Sequence, residues 1–316
     1  MSKMEPLPKS AFQAMGENDL VKNILSEVNI CFAIYDNYAA YLKVALHSLL
    51  LNRNREFFYN ILILNTDVSE THREEIAGLI KKEDKVKVRF VDVSKESALV
   101  HCEVDGYISV ATTYRLLLLS DMFSEYAKIL YLDSDIIVEG DISQLYYSQM
   151  NNLPVAAVEE TGFRQMSYSK RAVFINGSIP YNVDNYRTDA LMMKHPESYF
   201  NAGVILFDLE KCREVIAFDD VLSILKSKKY FYNDQDVLNI LFDGQVYLLD
   251  YSWNYQNNVD SFLAKRPERY GPMYSDVKRE MPKLIHYVSS YKPWKDQVAL
   301  GEHYRKYEED LTVEFG

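Results

Sequence analysis

Between residues 28 and 138 short β-rich apolar runs alternate with segments of helical spacing. That alternation restricts the fold more than any other feature, because parallel strands need crossover connections and helices usually supply them. VNICFAIY (28–35) reads as a strand that stops at Asp36-Asn37. A helix follows, carried by Leu42, Ala45, Leu46, Leu49 and Leu50. NILILN (60–65) and VKVRFVDV (86–93) read as strands flanking a helical SETHREEIAGLIKK (69–82). ATTYRLLLLSDMF (111–123) has helical spacing, and AKILYLDSDIIV (127–138) reads as one strand.

The second half is more mixed. PVAAVEE (154–160), FNAGVILFDL (200–209), VYLLD (246–250) and KLIHY (283–287) read as strands. DDVLSILKSK (219–228) and DQDVLNILF (234–242) read as helices. Residues 161–198 carry Gly, Pro, Asn and Tyr without a period, which suggests a long functional insertion. The tail from 301 is simply charged. With no repeat and no linker, the expected organisation is an N-terminal extension, 1–27, with a short helix near Leu20–Leu25, and one domain over 28–316.

Composition excludes some classes. The net charge is -11 and the cations are dispersed, which argues against nucleic acid as a partner. Cys31, Cys102 and Cys212 are few, odd in number and without C-x-x-C spacing. They support neither a disulfide framework nor a structural zinc site, and they fit a reducing, cytoplasmic setting, peripheral to the membrane at most. No window is long and apolar enough for a transmembrane segment.

The chemistry gathers at Asp133-Ser134-Asp135, where the apolar run ILYL ends. Ligands of open α/β sheets bind beyond the carboxyl ends of the strands. Residues i and i+2 of an extended chain face the same side, so two carboxylates meet there and call for a cation. Mg²⁺ or Mn²⁺ suits such oxygens and bridges readily to phosphate. An apolar run before D-x-D also resembles the nucleophile loop of haloacid-dehalogenase-like phosphatases, in which Asp133 would be phosphorylated. That loop usually opens its domain, whereas three βα steps precede Asp133 here.

Six blocks occur in order: CFAIYDNYAAYL (31–42), ATTYRLLL (111–118), ILYLDSDIIV (129–138), YFNAGVILFDL (199–209), NDQDVLNILF (233–242) and HYVSSYKPW (286–294). Together they resemble family 8 of the retaining glycosyltransferases, which includes bacterial lipooligosaccharide galactosyltransferases and glycogenin. The resemblance spans roughly 28–295. It implies a GT-A type, Rossmann-like nucleotide-sugar-binding α/β fold with a central mixed, mostly parallel sheet. It implies transfer of glucose or galactose from a UDP-hexose to a glycan acceptor on lipid, protein or a small sugar.

The family's roles fall on matching positions. Asp133, Asp135 and His286 correspond to its metal ligands, and this mixed O/N set leans toward Mn²⁺ over Mg²⁺. Lys292 corresponds to the lysine at the donor diphosphate, where a cation stabilises leaving-group charge. Ala33, Tyr35 and Asn37 fall at the nucleotide, Ser134 among the donor-binding residues, and Arg115, Glu159 (or its neighbour Glu160), Asn201 and Ala202 at the donor sugar. Asp234 and Gln235 match the pair near the anomeric carbon. Gln is a poor nucleophile for a covalent double inversion, so front-face attack with Gln235 stabilising positive charge is expected. Two positions depart from the family pattern. Tyr35 stands where relatives often carry an acidic residue, and Ser289 where many have glycine. These departures keep a non-catalytic sugar-nucleotide-binding protein as an alternative.

Overall fold

The computed structural model describes residues 27–96, 110–277 and 281–315. The N-terminal extension through residue 26, its expected helix and Cys102 lie outside the described residues.

The βα alternation is realised directly. Strand β1 (Glu27–Ala33) leads through a 3-10 turn (Asp36–Tyr38) into α1 (Ala39–Asn52). Then come β2 (Phe58–Asn65), α2 (Glu70–Lys81) and β3 (Val86–Asp92). Strands β1, β2 and β3 pair in parallel, Glu27 opposite Phe58 and Tyr59 opposite Val86. Side chains alternate between the two faces of a strand; β1 and β2 are covered on both and read as apolar runs, whereas the edge strand β3 leaves Lys87 and Arg89 exposed. Val28, Ile30 and Phe32 pack into one core with Leu42, Leu46 and Leu49 of α1. Cys31 and Ala33 point to the opposite core, with Tyr114 and Leu117.

The stretch expected as one strand over 127–138 is two. β4 (Lys128–Leu132) joins β1, and β5 (Ile136–Val138) joins a separate three-stranded sheet. The Asp133–Asp135 segment is the crossing between them. The main sheet is completed by β6 (Val155–Glu159), β9 (Phe200–Asp208) and β10 (Val246–Leu248), in the order β10-β6-β9-β4-β1-β2-β3. β9 runs antiparallel to both neighbours. The sheet is therefore mixed and mostly parallel. The second sheet orders as β11-β12-β5, with β11 at Tyr255–Gln256 and β12 at Leu284–His286.

Residues expected to form a helix over 111–123 adopt a 3-10 helix, Val110–Leu119, and a short turn, Asp121–Phe123. The Arg115 Nε–H takes the Thr112 carbonyl at 2.8 Å, an acceptor that an α ladder would use. The aperiodic 161–198 insertion contains α3 (Gly162–Tyr168) and a hairpin of β7 (Ala172–Ile175) and β8 (Ile179–Asn182). α4 (Phe218–Ser227) and α5 (Asp234–Leu241) form where helical spacing predicts them. The segment between the sheets' last strands holds α6 (Asn258–Lys265) and α7 (Pro267–Met273). The charged tail is a helix, α8 (Gly301–Phe315), because Tyr304 and Tyr307 are buried along one side of it, in a cluster with Val44 of α1.

Candidate active site

A cavity of about 940 Å³ opens where β1 and β4 end and the antiparallel β9 begins. The apolar strand β4 carries Asp133 to the sheet's edge, where its N–H bonds the Gly203 carbonyl of β9 at 2.8 Å. The chain then crosses to β5. There the Tyr287 N–H donates to the Asp135 carbonyl at 3.0 Å, and His286 sits opposite Ile136. Two sheets thus bring Asp133, Asp135 and His286 together. Each offers a ligand atom, all within 4.8 Å of one another.

Each carboxylate divides its oxygens. Asp133 Oδ1 accepts from Arg115 Nη2 at 2.8 Å and Tyr131 Oη at 3.0 Å. Asp135 Oδ2 accepts from Lys292 Nζ at 2.5 Å. The remaining oxygens, Asp133 Oδ2 and Asp135 Oδ1, lie 3.8 and 3.4 Å from His286 Nε2. Burial pushes the Asp133 carboxyl above the usual range, against the pull of Arg115. Burial also opposes ionisation of Asp135, but Lys292 and His286 outweigh it and hold that carboxyl well below the usual range.

The imidazole's tautomer follows from its neighbours. The Gly203 N–H and Asn254 Nδ2 both donate to Asn201 Oδ1, at 3.0 and 2.9 Å. Asn254 Oδ1 is therefore an acceptor, and His286 Nδ1, 3.0 Å away, carries the proton. Nε2 presents its lone pair to the carboxylates. A ring locked by an Nδ1–H bond, facing two carboxylate oxygens, fits a divalent cation as its ligand set. Gly203 leaves the room for it. A Cβ there would overlap His286 Cε1 and stand 3.0 Å from Asp133 Oδ2.

The Asp234–Gln235 pair enters from the other wall. Asn233 starts α5 with φ +44°, outside the ordinary helical and extended regions. Asp234 makes no cap. Its Oδ1 accepts from Thr112 Oγ1 at 2.7 Å, and its Oδ2 meets Arg115 Nε at 3.0 Å. Arg115 therefore ties Asp133 to Asp234, and it also donates to the Ala202 carbonyl. Gln235 Oε1 accepts from Ala202 N–H at 2.9 Å, while its Nε2 donates to Glu160 Oε2 at 3.3 Å and Tyr199 Oη at 3.2 Å. The amide is held by both ends.

Ala33, Tyr35, Ser134, Asn201, Ala202 and Lys292 also line the cavity. Two expected residues do not. Asn37 is exposed, because the 3-10 turn after β1 carries it outward while Asp36 is pinned to Ser69 N and His72 Nδ1. Glu159 points away and binds Arg164 Nη2 at 2.7 Å and the Tyr251 hydroxyl. Its neighbour Glu160 lines the cavity and accepts from Asn201 Nδ2 at 2.7 Å. The β6–β9 register shifts between Ala157 and Glu159, which exchanges the faces on which the last residues of β6 fall. Ser289 lines the cavity with φ +84°, a backbone region that favours glycine.

Sequence reasoning missed Asn254, which lies in a short 3-10 turn with no period, and Thr112 and Tyr199, which sit inside recognised blocks without an assigned role.

Residues 29–298 match the profile of Glycosyl transferase family 8. The chain belongs to this family. A relative at 27% identity is a lipopolysaccharide 1,2-glucosyltransferase of Escherichia coli K12, aligned over 84% of this chain and 72% of that protein. Among solved structures, the apo WbbM bifunctional glycosyltransferase superposes with a TM-score of 0.79 at 26% identity, over 91% of this chain and 51% of that one. The galactosyltransferase LgtC in complex with donor and acceptor sugar analogs gives 0.70 at 25% identity, over 90% and 96%. The fold of this family 8 chain is accordingly GT-A, and the phosphatase alternative is not favoured. No helix among the described residues is long and apolar enough to cross a membrane.

Proposed function

We propose that this glycosyltransferase moves glucose or galactose from a UDP-hexose to a glycan hydroxyl, with retained configuration and with Mn²⁺ or Mg²⁺ bound. The observation that carries the reading is the meeting of Asp133 Oδ2, Asp135 Oδ1 and His286 Nε2 beside Lys292, across one cavity from Asp234 and Gln235. The first three groups would hold the ion, which supplies positive charge against the donor's diphosphate. Lys292 Nζ adds a second cation where leaving-group charge would develop.

The chain's own residues set up the sugar end. Arg115 and Thr112 fix the Asp234 carboxylate in the cavity wall, where it would accept a further hydrogen bond from a sugar hydroxyl. Gln235 sits between Ala202 N and Glu160, so its amide dipole is held in place before substrate arrives. An amide so held is a poor nucleophile but a ready electrostatic partner for positive charge at the anomeric carbon. Attack of the acceptor on the face that UDP leaves is the route consistent with this arrangement. Tyr35, within reach of Tyr114 Oη at 3.2 Å, offers a ring and a hydroxyl to the uracil.

The test is UDP release from a panel of UDP-sugars, with Mn²⁺ and with EDTA, by wild type and Asp135→Ala. The reading predicts metal-dependent release from UDP-glucose or UDP-galactose that the substitution abolishes. Silence with every donor, in protein that still binds metal, would refute it and favour a binder without activity.

A further inference from the structure

The cavity is lined by more charge than the donor reading uses. Its carboxylates are Asp133, Asp135, Glu160 and Asp234, and its permanent cations are Arg115, Arg171, Lys265 and Lys292. Arg115 is paired with Asp133 and Asp234 at 2.8 and 3.0 Å, and Lys292 with Asp135 at 2.5 Å. Arg171 and Lys265 are different. Both are exposed, and among the described residues neither side chain has a carboxylate within 4.0 Å. Two cations without counter-ions in the binding cavity of a chain of net charge -11 are a poor match to a neutral ligand.

Their position separates them from the donor end. Arg171 follows α3, and Lys265 ends α6. Helix α6 starts beside the metal-ligand strand, where Asn257 N–H donates to the His286 carbonyl at 3.1 Å. At a rise of 1.5 Å per residue, Lys265 lies roughly 10 Å along α6 from Asn258. Two residues beyond Lys265 the chain enters α7, and there Tyr270 meets Tyr168 of α3 with ring centroids 6.1 Å apart.

A second observation marks the same wall as a ligand surface. Asn257 is only 3% exposed and lines the cavity, yet its Oδ1 has no hydrogen-bond partner. The neighbouring Asn258 Oδ1 is equally orphaned. Buried acceptors of this kind normally have donors, and sugar hydroxyls are donors.

We infer that this wall is the acceptor subsite, and that the acceptor is a glycan bearing an oxyanion, phosphate or carboxylate, which Arg171 and Lys265 receive while Asn257 and Asn258 accept hydroxyl hydrogens. The inference rests on the transferase reading above. It adds the chemical class of the acceptor. Arg is suited to forked bonding of such anions, and Lys supplies a point charge.

Calorimetric titration of the Mn²⁺- and UDP-loaded protein with galactose, galacturonate and galactose 6-phosphate tests it. Wild type is expected to bind at least one anionic sugar about tenfold more tightly than galactose, with the preference shrinking as salt rises. Whichever of the two is favoured distinguishes carboxylate from phosphate. Arg171→Gln/Lys265→Gln is expected to erase the preference, and the exposed positions leave the fold intact. Equal affinity for the three sugars, no binding of any, or a preference that survives in the double variant overturns the inference. Failure of the transferase reading shows separately, as absent UDP release from UDP-hexoses by wild type.

Discussion

Replacing Gly203 with alanine tests the metal-site geometry at a residue that binds nothing itself. The backbone conformation presents no obstacle, since Gly203 is not among the positive-φ glycines. The new methyl would overlap His286 Cε1 and lie 2.7 Å from Nδ1. Relief to ordinary contact needs a ring displacement of about 1 Å or more. Metal sites tolerate about 0.2 Å in ligand distance. The ring cannot retreat freely, because Nδ1 is tied to Asn254 and His286 is 4% exposed. Either the Asn254 bond breaks or Nε2 leaves the carboxylates. The expected result is a loss of Mn²⁺ affinity of at least 10- to 100-fold, the usual range for disturbing a ligand's support. Overpacking should also cost about 1–3 kcal/mol of stability. Titration of Mn²⁺ followed by electron paramagnetic resonance measures the first, and urea unfolding with EDTA the second. Wild-type Mn²⁺ affinity in folded Gly203→Ala would refute the assignment of His286 as a ligand.

Other expectations follow from the same contacts. Asn254→Leu should free the imidazole's tautomer and weaken Mn²⁺ binding by about 10- to 100-fold with the carboxylates untouched; unchanged binding would show that the Nδ1 bond is idle. Ser289→Gly should raise stability by roughly 1 kcal/mol in urea, since glycine accepts φ +84° freely while losing only the 3.3 Å bond from Tyr291 N–H to Ser289 Oγ; a fall in stability would contradict the strain. Burial pushes the Asp236 carboxyl up to about 6, against hydrogen bonds from Tyr199, Tyr232 N and Tyr186. The folded chain then keeps a proton that the unfolded chain loses between roughly pH 4 and 6, so this residue's contribution declines as pH rises through that window. Asp236→Asn should remove that decline, up to roughly 3 kcal/mol, from the difference between the two pH–stability curves; parallel curves would refute it. Glu160→Gln should lower kcat by more than tenfold through Gln235 and Asn201, whereas Glu159→Gln should mainly lower Tm by detaching Arg164; the reverse pattern would exchange their roles.

Much of this architecture is legible in the sequence because its central strands β1, β2, β4 and β9 are buried on both faces. An Ile-Leu-Tyr-Leu run that ends in two aspartates has few places to go but a sheet edge facing a ligand. The crossing between two sheets was not legible, since Ile136–Val138 continues the same apolar run and only pairing with Leu284–His286 separates it from β4. The choice between Glu159 and Glu160 turned on a register shift in β6, and a slip of one residue leaves no trace in composition. Asn37 was misplaced by a single 3-10 turn. Asn254 supports His286 from a loop, through polar contacts with partners 53 and 32 residues away, and such contacts have no local period to read.

The crossing at residues 133–135 has a temporal consequence. Asp133 and Asp135 are available as soon as β4 forms against β1 and β9, but His286 arrives on a strand encoded nearly half the chain length later. Closing so long a loop is slow and entropically costly. Until β12 docks on β5, Arg115 alone can neutralise the two carboxylates, and Lys292 is absent as well. Full-affinity capture of the ion should therefore be among the last events of folding. A metal signal during refolding would time the docking of the second sheet onto the first.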